Sequence, residues 1–338
     1  MDTKFWQVNF SQRNEICLKR FSIILLLSCS VLLSGWGFFA HKKINQLAVF
    51  TLPPEMIGFY KKNIEYITDA SCNPDRRRYA VPEEAARHYI DLDDYGDSAA
   101  YKLPRYWNDA VAKYSNDSLQ ARGIVPWHVN NIFYSLRDAF FVGDPQRILR
   151  YSAELGHYVG DAHVPLHTTS NYDGQKTGQV GIHGFWESRL PELYFAEYDF
   201  LVGKASYVKN VQLKAWHIVG GAHAALDSVL LFEKKLSETL GNSKFGFETK
   251  GNQTVKVFSK EYSMQYHHML NGMVERQMQR SVKAVGDLWY TAWVDAGQPD
   301  LKKLIHYRPT QEELAQRQVE LKTWKEATYR PRAHEDEN

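Results

Sequence analysis

His157-Tyr-Val-Gly-Asp161-Ala-His-Val-Pro165-Leu-His167, followed shortly by His183-Gly-Phe-Trp-Glu187, places five potential metal ligands within 31 residues. His157 and Asp161 stand four apart, as do His183 and Glu187. On a helix each pair lies on one face with both side chains reaching the same point, and both segments read as helical. Either pair alone is satisfied by a simple side-chain hydrogen bond. Two such pairs in one short stretch read as a metal cluster, because imidazole nitrogen and carboxylate oxygen are typical zinc donors. Pro165 lies four residues beyond Asp161 and predicts that the first helix ends or bends there, turning His167 back toward the same point. His128 and His163 lack partners at ligand spacing and read as structural.

Outward from this stretch the chain reads as mostly helix. Helical periodicity runs through His41 to Phe50, Pro54 to Ile67, Pro104 to Tyr114, Ile124 to Phe141, Pro145 to Asp161, Phe185 to Phe200, Ala205 to Leu240 and Glu261 to Ala296. The exception is Lys244 to Phe258, where alternating residues flank Lys250-Gly-Asn-Gln253 and predict a β-hairpin, read as a peripheral insertion. From Pro309 the sequence turns polar, with a charged helix expected over Glu312 to Glu326 and a disordered tail over Arg330 to Asn338. The expected class is all-α with a small β-hairpin insertion. The expected organisation is residues 1–35 as a signal peptide, 36–308 as a catalytic domain, and 309–338 as charged helix and tail.

The leader reading rests on Lys19-Arg20 followed by the 13-residue apolar run Phe21 to Leu33 and then Ser34-Gly35. That run is too short to span a bilayer comfortably. It predicts export to the periplasm or the extracellular space. Leu26-Leu-Ser-Cys29 also resembles a lipoprotein cleavage box, so cutting after Gly35 and lipid anchoring at Cys29 both stay open. The chain carries 41 basic and 39 acidic residues, and four basic and two acidic ones fall in residues 1–35, leaving 37 of each. A neutral remainder lacks the broad basic field of a tight nucleic-acid binder. Cys17 and Cys29 lie in the leader, so Cys72 has no intramolecular disulfide partner once that is removed.

Two upstream clusters complete the pattern: Trp36-Gly-Phe-Phe-Ala-His41, and Asp75-Arg-Arg-Arg78 ahead of Arg87-His88-Tyr-Ile-Asp91. The ordered set W-x4-H, D-x12-H-x2-D, H-x3-D-x5-H, H-x3-E resembles the superfamily that joins bacterial zinc-dependent phospholipase C to the single-strand-specific nucleases of fungi and plants. The match spans residues 36 to 187. The resemblance implies a multi-helix phospholipase C/nuclease-like fold and three zinc ions at the bottom of a cleft. It implies that Asp75, His88, His157 and Asp161 hold one zinc and that His167, His183 and Glu187 hold a second. Trp36, through its free amino group and carbonyl, would hold the third with His41, and Asp161 would bridge two metals. It further implies catalytic roles for Asp75 and Arg78 and substrate contacts at Tyr89 and Asp91. For these the plainer readings are a turn at Asp75, a solvated charge run at Arg76 to Arg78, a core aromatic and a helix cap.

The sequence departs from the nuclease branch. A Gly-Gly-Asn segment expected after the third histidine is replaced by Asn171-Tyr-Asp-Gly-Gln-Lys-Thr-Gly-Gln-Val-Gly181; the final carboxylate is Glu187, as in the phospholipases, while Trp186 before it resembles the nucleases, so the chain sits between the two branches. There is no Gly-x-Ser-x-Gly turn and no Cys near His at catalytic spacing. The expectation is therefore a zinc-dependent hydrolase of phosphoric diesters, phospholipase C-like, acting on a phospholipid with transient membrane-surface contact. A single-strand-specific nuclease and a zinc-stabilised surface protein without turnover are the alternatives. No obligate protein partner is expected.

Overall fold

The computed structural model describes residues 38–251 and 253–329. The expected leader, Trp36 and the tail from Arg330 lie outside the described residues. In chain order the helices are α1 Phe38–Ala48, α2 Pro54–Lys62, α3 Ile64–Ala70, α4 Asn73–Arg77, α5 Ala99–Lys102, α6 Trp107–Tyr114, α7 Asn116–Arg122, α8 Val125–Val142 and α9 Pro145–Ala162. They continue with α10 Ile182–Gly184, α11 Leu190–Tyr194, α12 Val211–Leu240, α13 Lys260–Met269, α14 Met273–Asp295 and α15 Gln311–Glu326. The strands β1 Phe245–Lys250 and β2 Gln253–Phe258 form a two-stranded antiparallel ribbon, the one sheet among the described residues. The class is all-α with a small β-hairpin, as the sequence predicts.

The centre of the fold is α9, which packs against α1, α3, α8, α12 and α14. Its sequence explains that position. Asp144 accepts a hydrogen bond from the Arg147 backbone N–H and Pro145 occupies the first turn, so the helix starts with both start signals in place. From Ser152 to Ala162 every residue is buried, polar ones included. Two glycines let α1 come close. A Cβ built on Gly156 would lie 1.9 Å from Asn45 Oδ1, and one on Gly160 would lie 3.1 Å from His41 Nδ1. The four-residue spacing of those glycines makes a groove along α9 that α1 fills with Asn45 and His41.

Differences from the periodicity have local causes. Ala205 to Asn210 is not helical, because the Ser206 and Val208 N–H groups donate instead to Asp287 Oδ1 at 2.7 Å and Thr291 Oγ1 at 2.9 Å. Glu261 to Ala296 is two helices, broken where Asn271 and Gly272 take φ of 47° and 71°. The helix predicted over Phe185 to Phe200 gives way to a 3-10 turn at Phe195–Glu197. The ribbon lies at the surface, as expected of an insertion, but its base is tied to the helical body. Phe258 stacks on Phe185 at 3.9 Å with the rings 7° from parallel, and Arg189 makes two hydrogen bonds to Glu248 at 2.5 and 2.9 Å.

Asn45 is fully buried and cannot yield to a new methyl group at Gly156. Gly156→Ala is therefore expected to destabilise the protein by about 1–3 kcal/mol through overpacking, despite alanine's better helix propensity. Gly220, also helical, has open space at its Cβ position, so Gly220→Ala should stabilise by up to about 1 kcal/mol. Urea unfolding of both variants checks this, and equal effects would remove the close-approach constraint.

Candidate metal centre

Five imidazoles and three carboxylates meet where α1, α4, α9 and the segment after α10 converge. His41, Asp75, His88, His157, Asp161, His167, His183 and Glu187 are each at most 2% exposed. His41 comes from α1, Asp75 from α4, and His157 and Asp161 from successive turns of α9. α9 stops at Ala162, and a 3-10 turn over Pro165–Thr168 swings His167 back to the cluster, as Pro165 predicted. His183 sits in α10, and Glu187 lies in a π-helical turn, Phe185–Arg189, of the kind that often marks functional sites.

A tetrahedral ion with bonds of about 2.0–2.1 Å holds its donor atoms roughly 3.3 Å apart. The donors here meet that requirement. His167 Nε2, His183 Nε2 and Glu187 Oε2 lie 3.1, 3.2 and 2.9 Å from one another. His88 Nδ1 and His157 Nε2 are 3.0 Å apart, each 3.5 Å from Asp75 Oδ1, and 3.0 and 3.2 Å from Asp161 Oδ2. His41 Nε2 is 3.3 Å from Asp161 Oδ1 and 3.3 Å from Glu187 Oε1. Both sets of residues that the pattern assigned to a common ion are therefore brought together. Each of two carboxylates also divides its oxygens between sets. Asp161 was expected to do so; Glu187 was expected to serve one metal only, and its reach to His41 depends on how α1 crosses α9, which spacing does not report.

The polar inventory fits cations. Among the described residues both oxygens of Asp75 and the His41 Nδ1 are buried with no hydrogen-bond partner, and the Asp161 oxygens face only imidazoles, at 3.0–3.3 Å. Leaving carboxylates buried and unsatisfied is costly, and bound metal relieves it. Electrostatics point the same way. Burial alone would lower the His41 and His88 pKa values, but hydrogen bonds and charge from Glu187 and Asp161 on His41, and from Asp161 and Glu84 on His88, push both up to about 9. Burial would raise the Asp161 and Glu187 carboxyls, yet the facing imidazoles hold both well below the ordinary range. Protons on imidazole thus compensate the carboxylates when no metal does.

Residues that spacing did not single out hold this arrangement. His88 turns Nδ1 to the cluster and Nε2 to Glu84 Oε1, 3.6 Å away. Glu84 is itself fixed by Arg77 at 2.7 Å, Arg87 at 2.7 Å and the Tyr158 hydroxyl. A carboxylate behind a ligating imidazole fixes its ring orientation and raises its basicity. Glu84 lies four before His88, so the signal was in the sequence. His167 Nδ1 bonds the His88 carbonyl at 2.8 Å, which ties two donor sets through one backbone. Asp173 accepts from the Gly181 and His183 N–H groups at 3.0 and 3.3 Å and so sets the start of α10. His128 and His163 lie outside the three donor sets found among the described residues, and burial lowers them to about 3 and about 4.

The expected substrate contacts are placed less openly. Of the run Arg76 to Arg78, only Arg76 reaches the surface, pairing with Asp69 at 3.0 Å; Arg77 and Arg78 are buried, so the run is not a solvated one. Arg78 follows α4 directly, with its guanidinium 5.9 Å from the Tyr79 ring. Tyr89 is 9% exposed, its carbonyl bonded by the Val125 N–H at 3.1 Å and Gly123 packed on its backbone. Asp91 is buried and precedes a 3-10 turn over Leu92–Tyr95 without a side-chain capping bond. A cavity of about 20 Å³ touches His41, Glu187, Trp186 and His163, room for one water. The wider cavity of about 510 Å³ beside Tyr290 and Trp293 is lined by none of the cluster residues.

With His41 and His88 titrating near 9, both rings carry protons near neutral pH in metal-stripped protein, and a metal must displace them. Zinc added to stripped protein in weak buffer should therefore release about two protons per chain from these two rings. The share released by these two rings should shrink as pH rises through about 9, where they become neutral, and metal affinity should fall as pH drops below about 9. A pH-stat titration without proton release would contradict the assignment. Comparison with known proteins adds no family: no family model matches the chain, and no curated protein matches it.

Proposed function

We propose that the protein is a trinuclear-zinc hydrolase of phosphoric diesters, phospholipase C-like in its substrate class. The observation that carries this reading is the pair of carboxylates, Asp161 and Glu187, that each offer separate oxygens to different imidazole sets. Multiple adjacent ions suit phosphodiester cleavage better than a purely structural role, which a single closed tetrahedral site satisfies. Five imidazoles with three carboxylates favour zinc among the common ions. His41 would hold one ion, with Trp36 proposed as its partner from the chain. Asp75, His88, His157 and Asp161 would hold the second, and His167, His183 and Glu187 the third.

Zinc bound there would lower the pKa of a coordinated water to about 7 and neutralise charge on the phosphoryl oxygens. The chain's own residues would do the rest. Asp75 has one oxygen facing His88 and His157, and its second oxygen makes no hydrogen bond, which suits it to orient the attacking water or take its proton. Arg78, buried just after Asp75, is the proposed cation beside the scissile phosphate. Tyr89 and Asp91 are the proposed substrate contacts. Tyr89 leaves little ring face on which to stack a base, which favours a lipid diester over a single-stranded nucleic acid. An exported location fits such a substrate.

Purified protein assayed with and without chelator on phosphatidylcholine, single-stranded DNA, RNA and a soluble aryl phosphodiester tests the reading. Chelation should abolish hydrolysis, zinc should restore it, and phosphatidylcholine should be cleaved faster than either nucleic acid. Asp161→Asn should lose more than one equivalent of zinc and at least roughly a hundredfold in activity, since it removes a donor shared by two ions. Zinc-replete protein that cleaves none of these substrates would overturn the hydrolase reading, and faster cleavage of DNA or RNA would move it to a nuclease.

A further inference from the structure

The β1–β2 ribbon has two unlike faces. In the register Phe245↔Phe258, Phe247↔Lys256 and Thr249↔Thr254, one face carries Phe245, Phe247, Thr249, Thr254 and Lys256, all exposed, and ends at its base on half-buried Phe258, which packs on Phe185. The other carries Gly246, Glu248, Gln253, Val255 and Val257, all half-buried or buried. Phe247 is 75% exposed and Phe245 is 43% exposed, on a surface with no carboxylate. Lys256 Nζ sits 4.0 Å from the Phe245 ring centre. Residues 244–260 hold four lysines and one glutamate; Glu248 is turned inward to Arg189, and Lys244 pairs with Glu233 at 2.7 Å, so Lys256 is the lysine on the outward face.

We propose that this ribbon is a docking element for an anionic phospholipid surface and that it seats the candidate metal centre against that surface. Exposed aromatic rings beside lysines bind such surfaces twice over, the rings entering the acyl boundary and the cations meeting lipid phosphates. The anchor is rigidly coupled to the site. Phe258 stacks on Phe185, and Glu248 bonds Arg189. Phe185 and Arg189 are the two ends of the π turn that carries Glu187. A bilayer holding the ribbon therefore holds the segment that supplies His183 and Glu187. This use of the ribbon rests on the proposed lipid substrate, whereas the docking itself does not.

Charge and geometry favour lipid over other occupants. A single-stranded nucleic acid needs a continuous basic groove, and the outward face offers one lysine between two rings on a chain of nearly balanced charge. A second copy paired about a two-fold axis would bring the same lysine-bearing surface against itself.

The test is co-sedimentation of the metal-loaded protein, on ice, with vesicles of phosphatidylcholine alone or with phosphatidylserine added, while release of lipid phosphorus is monitored. Wild type should partition at least tenfold more strongly to the anionic vesicles, less so in high salt. Phe245→Ser/Phe247→Ser and, separately, Lys256→Glu should each weaken partition by roughly fivefold or more. Hydrolysis of the soluble aryl phosphodiester should not change in either. Lys256→Glu keeps both rings, so it still decides the matter if the double variant folds poorly. Wild type that ignores anionic vesicles, or a well-folded Lys256→Glu that binds as wild type, overturns the proposal. So do variants that instead lose binding to a single-stranded oligonucleotide or lose a dimer in sedimentation. Vesicle binding that needs the ribbon in a protein with no phosphodiesterase activity would leave the docking standing and remove the proposed function.

Discussion

Three carboxylates buried among five imidazoles are the constraint on which the rest of this molecule depends. Anionic oxygens held in a water-excluded interior are unfavourable by several kcal/mol unless cations meet them. Protons on His41 and His88 are one set of cations and metal ions are another. The donor separations match the edges of metal polyhedra, and histidine nitrogens face each other at 3.0 and 3.1 Å with carboxylate oxygens alongside.

The helices are organised to hold that cluster in place. Gly156 and Gly160 let α1 approach α9 closely enough for His41 to reach Asp161 and Glu187. Glu84, locked by Arg77, Arg87 and Tyr158, stands behind His88. Asp173 sets the first turn of α10, and the ribbon braces both ends of the π turn around Glu187. Each support comes from a different part of the chain, so losing one should displace a ligand without removing it. That distribution fixes the positions of the clustered donors from several sides.

The legible part of the sequence was the part written in local spacing. His-x3-Asp and His-x3-Glu state a shared helical face, Pro165 states a break, and alternation around Lys250-Gly251 states a hairpin. Asn271-Gly272, a strong turn signal inside a long helical pattern, marked the break between α13 and α14, yet periodicity on both sides masked it. Contacts between distant elements were not legible. Ala205 to Asn210 leaves the helix because Asp287 and Thr291 take its N–H groups, and Glu187 reaches a second donor set only because α1 crosses α9 where it does. The burial of Arg78 likewise follows from what packs over α4 and not from its charged neighbours.

The central claim is that these eight side chains form one polynuclear centre with Asp161 and Glu187 shared between ions. Anomalous diffraction from zinc-soaked crystals, collected on both sides of the zinc absorption edge, tests it most directly. The account predicts separate zinc peaks, one among His167, His183 and Glu187, one among Asp75, His88, His157 and Asp161, and one at His41 between the two shared carboxylates. A single peak, or side chains that hold their positions with no anomalous scatterer among them, would contradict it.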